Sequence, residues 1–107
     1  MENKGKVPEP HKPERHPKGW GHEDWIANNA EYCGKLLYFE KGKRCSYHYH
    51  EKKHETFYLF SGKMQIRVGF VDDPEGTDAK SFILNPGECL EIVRGLRHQM
   101  IALEDSN

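Results

Sequence analysis

From Trp20 onward, apolar residues alternate with polar ones in short runs, and Gly, Pro, Asn or Asp closes most runs. A two-residue period places alternate side chains on one face of an extended strand. The pattern predicts strands over 25–28, 35–40, 45–50, 56–60, 64–70, 81–84, 90–93 and 98–103. Turns are predicted at Lys41-Gly42-Lys43, Ser61-Gly62, 72–76, Asn85-Pro86-Gly87 and Arg94-Gly95. No segment sustains a helical period. Eight short strands in a 107-residue chain need two packed sheets or a closed barrel to hide their apolar faces. The predicted class is therefore all-β, a jelly-roll β-barrel.

If Ser61-Gly62 closes a two-residue hairpin, Leu59 pairs with Met64, Phe57 with Ile66 and Glu55 with Val68. The inward face of that hairpin is apolar except at Glu55. A carboxylate there costs on the order of several kcal/mol unless a positive charge neutralises it. The opening stretch differs: residues 1–18 contain four prolines and many charges, so a disordered tail is expected, followed by one domain over 19–107. His11 and His16 fall in that tail and are expected to be mobile and solvated.

Composition narrows the classes. Hydrophobic residues make up 36% and charged ones 31%, and sixteen Lys and Arg against seventeen Asp and Glu leave a formal charge of −1. There is no basic block for nucleic acid, no apolar run near the roughly 20 residues of a membrane helix, and no secretory signal. A soluble cytoplasmic protein is expected. Cys33, Cys45 and Cys89 suit neither a disulfide framework nor a Cys-x-x-Cys motif, so they read as reduced, buried hydrophobes.

The seven histidines change the picture more. In Ser46-Tyr47-His48-Tyr49-His50 the two imidazoles are two residues apart and project from the same face of a strand. Glu55 returns beside them after a short charged turn, and His98 opens a later strand beyond the Arg94-Gly95-Leu96-Arg97 turn. Three imidazoles and a carboxylate suit one divalent ion of the Mn, Fe, Co, Ni or Zn type. His54, among Lys52, Lys53 and Glu51, reads as solvated. Lys35 shares a face with Leu37 and Phe39, so it either snorkels out at the rim or enters the pocket. Tyr47, Tyr49 and Tyr58 face away with Gln65 and Arg67, Tyr38 faces away from Lys35, and Trp20 and Trp25 suggest a lid or edge over the barrel.

In these residues the chain resembles the cupin superfamily. Gly42, His48, His50, Glu55 and Gly62 match its first motif throughout. Gly87, Gly95 and His98 match the second, where Val93 and Ala102 replace the usual Pro and Asn. The resemblance implies a barrel holding one divalent ion with His48, His50, Glu55 and His98. Trp20-Gly21, Lys35 and Ser46-Tyr47-His48-Tyr49-His50 resemble the cupin domain of type II mannose-6-phosphate isomerases, and Glu55-Thr56-Phe57 resembles a step in cupin phosphoglucose isomerases.

That likeness implies an aldose–ketose isomerase acting on a small carbohydrate. Glu55 would be ligand and base, Lys35 would contact the substrate's phosphate or carboxylate, and Arg94 or Arg97 would stand at the mouth. An iron dioxygenase with the same ligands and a non-catalytic sugar-binding module are the alternatives. Such barrels continue for another strand after His98, so an open edge is expected beyond Leu103. With the outward tyrosines, that edge predicts a homodimer.

Overall fold

The two-residue period carries through into the computed structural model, which describes residues 7–29, 31–69 and 79–107. Its strands are β1 (Glu14–Lys18), β2 (Gly21–Asn28), β3 (Cys33–Phe39), β4 (Glu55–Tyr58), β5 (Met64–Gly69), β6 (Lys80–Leu84), β7 (Cys89–Ile92) and β8 (Arg97–Ala102). They pair antiparallel in the orders β1-β2-β3, β4-β7 and β6-β5-β8. No helix occurs among the described residues, so none is long and apolar enough to cross a membrane. The architecture is the all-β jelly roll expected.

Inward positions change character along the strands. β3 runs from Lys35 through Leu37 to Phe39, and β8 runs from His98 through Met100 to Ala102. β4 begins at Glu55 and continues through Phe57 toward Leu59. Phe39, Leu59, Met64, Ile66, Leu84, Met100 and Ala102 form the buried cluster, and Trp20 stacks on Phe39 with ring centroids 3.9 Å apart. Burying these side chains is the main stabilising term, at about 1.5–3 kcal/mol for each large one. One end of the barrel is thereby plugged with hydrocarbon, and the ionisable side chains gather at the other.

Several expectations are corrected. Ser61-Gly62 closes no hairpin: β4 pairs with β7, as Glu55 with Ile92 and Phe57 with Leu90, whereas Met64 pairs with Leu84 and Ala102. The reason lies in the C-terminal residues. Asn107 N–H donates to Ser61 O at 3.1 Å and Leu103 N–H to Lys63 O at 2.9 Å, so the turn's backbone is bonded to that segment and the chain crosses between layers. Gly62 has φ of +94°, and a Cβ there would collide with Asp105 and Ser106.

The edge beyond Leu103 is likewise not open. Phe39 and Ser106 exchange backbone hydrogen bonds of 2.9 Å each, and Ser106 is buried. Residues 14–18, expected in the tail, form β1 because β2 offers a partner and Arg15 makes two hydrogen bonds to Asp24, at 2.8 and 3.0 Å. His16 stacks on Trp25 at 3.8 Å instead of moving freely. Trp20 belongs to the plug rather than a lid. Cys33 and Cys89 are exposed and Cys45 is half-buried, so only Cys45 resembles the buried hydrophobe expected; all three are free thiols. The turn expected at 72–76 and the end of the 64–70 strand lie outside the described residues.

Candidate metal centre

The segment 45–50, expected as a strand, instead follows β8 through isolated bridges, Arg44 to Ile101 and His48 to His98. Three residues lie between those bridges on one side and two on the other, so one extra residue bulges between them. The Gln99 side chain fills the irregularity by donating to Cys45 O at 2.9 Å, and Met100 N–H donates to Cys45 Sγ at 3.2 Å. Burial pushes the Cys45 thiol's pKa up.

The bridge at His48 brings three imidazoles together. Ligand atoms of His48, His50 and His98 lie within 4.8 Å of one another. Two of the rings are oriented in the same way: His48 Nδ1–H donates to Ser46 O at 2.8 Å, and His98 Nδ1–H donates to Leu96 O at 3.2 Å. Each uses the carbonyl two residues before its own and leaves Nε2 with a free lone pair, the tautomer a metal requires. Burial pushes His98 below the ordinary imidazole pKa, opposed by its bond to Leu96. Burial also lowers His50; Glu55 opposes that, while His48, Lys53 and Lys35 add to it. Both shifts favour the neutral form, the one able to ligate.

Glu55 stands beside this cluster. Its Oε2 lies 3.8 Å from His50 Nε2 and 3.7 Å from His98 Nε2. That oxygen is buried and accepts no hydrogen bond from any described residue. A buried carboxylate oxygen without a donor is costly, and a cation would satisfy it. The donor set thus fits a divalent ion held by His48, His50 and His98, with Glu55 placed to join them. His98 is 1% exposed while His50 and Glu55 keep 33% and 26%, so the cluster is closed inward and open outward.

The profile of the family described as "Cupin domain" matches residues 35–107. The chain belongs to the cupin family. No curated protein matches it in sequence. Among solved structures, this cupin is similar to KdgF from Halomonas sp., with 22% identity, TM-score 0.66, and coverage of 79% of this chain and 70% of that one. It is similar to the Drosophila melanogaster CENP-C cupin domain, at 13% identity and TM-score 0.74, covering 95% and 81%. It also resembles the capsular polysaccharide assembling protein CapF from Staphylococcus aureus, at 20% identity and TM-score 0.77, covering 91% of this chain but only 27% of CapF. At such identities these likenesses speak for the fold.

The remaining candidates are placed as follows. Lys35 lies on β3, half-buried, with Nζ 3.8 Å from Glu23 Oε1 and 4.8 Å from the Trp25 ring centroid. Its side chain is 23% exposed and rests against β2. Arg94 is exposed and its Nε–H donates to Lys52 O at 3.0 Å, tying the 51–54 turn to the 94–96 turn. Arg97 covers the Tyr49 ring at 4.7 Å and Arg67 the Tyr47 ring at 5.1 Å, so these tyrosines, expected on an outer face, pack against arginines. His54 pairs with Glu91 at 2.6 Å, outside the histidine cluster. Sequence reasoning missed Glu23 and the orienting carbonyls of Ser46 and Leu96. Glu23 and Trp25 do alternate on one face of a strand, a signal that acquires meaning only once β2 is known to pair with β3.

Proposed function

We propose that this cupin is a metal-dependent enzyme acting on a sugar or sugar phosphate as an aldose–ketose isomerase. The observation that carries the reading is the buried, hydrogen-bond-free Oε2 of Glu55 beside three imidazoles at an open mouth. Three nitrogens and one oxygen suit Mn, Zn, Fe or Ni. The short matches to mannose-6-phosphate isomerase cupin domains at Trp20-Gly21, Lys35 and 46–50 support the carbohydrate class. A bound divalent ion supplies Lewis acidity toward neighbouring sugar oxygens. His48, His50 and His98 orient the site, Glu55 takes a proton from the carbon beside the carbonyl and returns it to the adjacent carbon, and the hydroxyl proton passes to the former carbonyl oxygen. Lys35 donates a hydrogen bond to a substrate oxygen.

The same donor set favours a second reading, an iron dioxygenase, because an ion with four protein ligands can keep positions for oxygen and substrate. One experiment separates the two. Metal-loaded protein is incubated anaerobically in heavy water with hexoses, pentoses and their phosphates. Deuterium appearing at the carbon beside the carbonyl is the expected result, and it should vanish in Glu55→Gln. Oxygen uptake in air without exchange would replace the isomerase by the dioxygenase. Silence in both assays would leave a sugar-binding module.

A further inference from the structure

Glu23, Trp25 and Lys35 form a half-buried group toward the same end of the barrel as the histidines: Lys35 stands four residues along β3 from the buried Phe39, as His98 stands four along β8 from the buried Ala102. The register of β2 against β3 sets Trp25 opposite Lys35 and Glu23 opposite Leu37, so Glu23 lies diagonally from Lys35 on the same face. Glu23 Oε1 accepts the Trp25 Nε1–H bond at 2.9 Å and stands 3.8 Å from Lys35 Nζ. The ammonium rests 4.8 Å from the centroid of the Trp25 ring, and the His16 ring stacks on that indole at 3.8 Å. Trp25 thus keeps Glu23 from turning away, and Glu23 keeps Lys35 against β2.

At 3.8 Å the carboxylate balances the lysine's charge but is too far to accept its hydrogen bond. Lys35 makes no other hydrogen bond or ion pair among the described residues. Its side chain is 23% exposed and that of Glu23 16%. This end of β3 therefore presents N–H donors whose charge is already answered. An unanswered ammonium would draw a phosphate dianion, whereas a fixed carboxylate next to it repels one.

We infer that Glu23 sets the substrate class of this site: by balancing Lys35 it makes that lysine a donor to a neutral sugar oxygen, selecting a free sugar over a sugar phosphate at this end. The inference rests on the carbohydrate reading above and decides between its two substrate classes.

Glu23→Gln keeps the acceptor for Trp25 and removes the charge. Inorganic phosphate is titrated calorimetrically into zinc-loaded full-length wild type, E23Q, K35Q and E23Q/K35Q, each first checked for one equivalent of zinc and an unchanged melting temperature. E23Q should bind phosphate about tenfold more tightly than wild type, and the gain should disappear in E23Q/K35Q. K35Q alone leaves the Glu23 carboxylate unbalanced and should bind phosphate more weakly than wild type. Equal or tighter phosphate binding in K35Q, or no gain in a folded E23Q, would overturn the inference. Glu23→Ser, which also removes the charge, takes the place of E23Q where the latter does not fold. Failure of the wild type to take up zinc would count against the metal reading instead.

Discussion

His48 and His98 face each other as a closely bonded antiparallel pair: His48 N–H donates to His98 O at 3.1 Å, His98 N–H donates to His48 O at 2.7 Å, and the rings lie 4.5 Å apart. Two candidate ligands contributed by segments fifty residues apart are thus fixed by the backbone itself. Little ordering remains for an ion to impose.

Metal dependence follows from that pair and its neighbours. Replacing His48 and His50 together with Ala should abolish stoichiometric metal, measured on protein purified without chelators or a histidine tag. In the wild type, an ion at one hundred times its Kd should add about 2.7 kcal/mol to the unfolding free energy. The double variant should show no such gain, and a full equivalent of metal retained in it would overturn the site.

Gly62 gives a test of the crossing turn. Its φ of +94° and the closeness of Asp105 and Ser106 leave no space for a methyl group. Gly62→Ala should cost about 1–3 kcal/mol in urea unfolding. The metal stoichiometry of the folded fraction should be unchanged, because the turn lies at the plugged end. A midpoint equal to wild type would show that the turn does not need this conformation.

The attachment of β1 should weaken in acid. The hydrogen bonds from Arg15 hold the Asp24 carboxyl below its usual pKa, opposed by burial. A depressed folded value means that the contact contributes fully above the unfolded pKa of about 4 and is lost as pH falls through the lower folded value. Amide exchange should therefore show β1 losing protection relative to β5 as the pH is lowered through that range. Asp24→Asn should show the same loss at neutral pH, and equal protection in both proteins would refute the role of this pair.

A homodimer remains our expectation, now on different surfaces. With the edge after Leu103 closed and Tyr47 and Tyr49 covered, the exposed apolar side chains include Phe82 and Ile83 on β6, at the end of its sheet, and Tyr58 and Phe60 near β4. An apolar edge strand is a template for pairing. Light scattering at micromolar concentration should give about twice 12.5 kDa; the monomer mass would refute it.

The chain's alternation by itself determined the all-β class, most strand positions and the inward set of Leu37, Phe39, Phe57 and Ile66, because a two-residue period is a local property of extended backbone. The His-x-His spacing likewise brought His48 and His50 to one side without help from distant residues. What the tertiary structure decided was every relationship that depends on which strands meet. Alternation assigns a face but not a neighbour, so the placement of β4 against β7 could not be read from it. Nor could the closing of the edge by Ser106, the bridge that delivers His98 to His48, or the diagonal that sets Glu23 against Lys35. Even β1, too polar to announce itself, forms because β2 supplies the hydrogen-bonding partner and Trp25 the ring on which His16 rests.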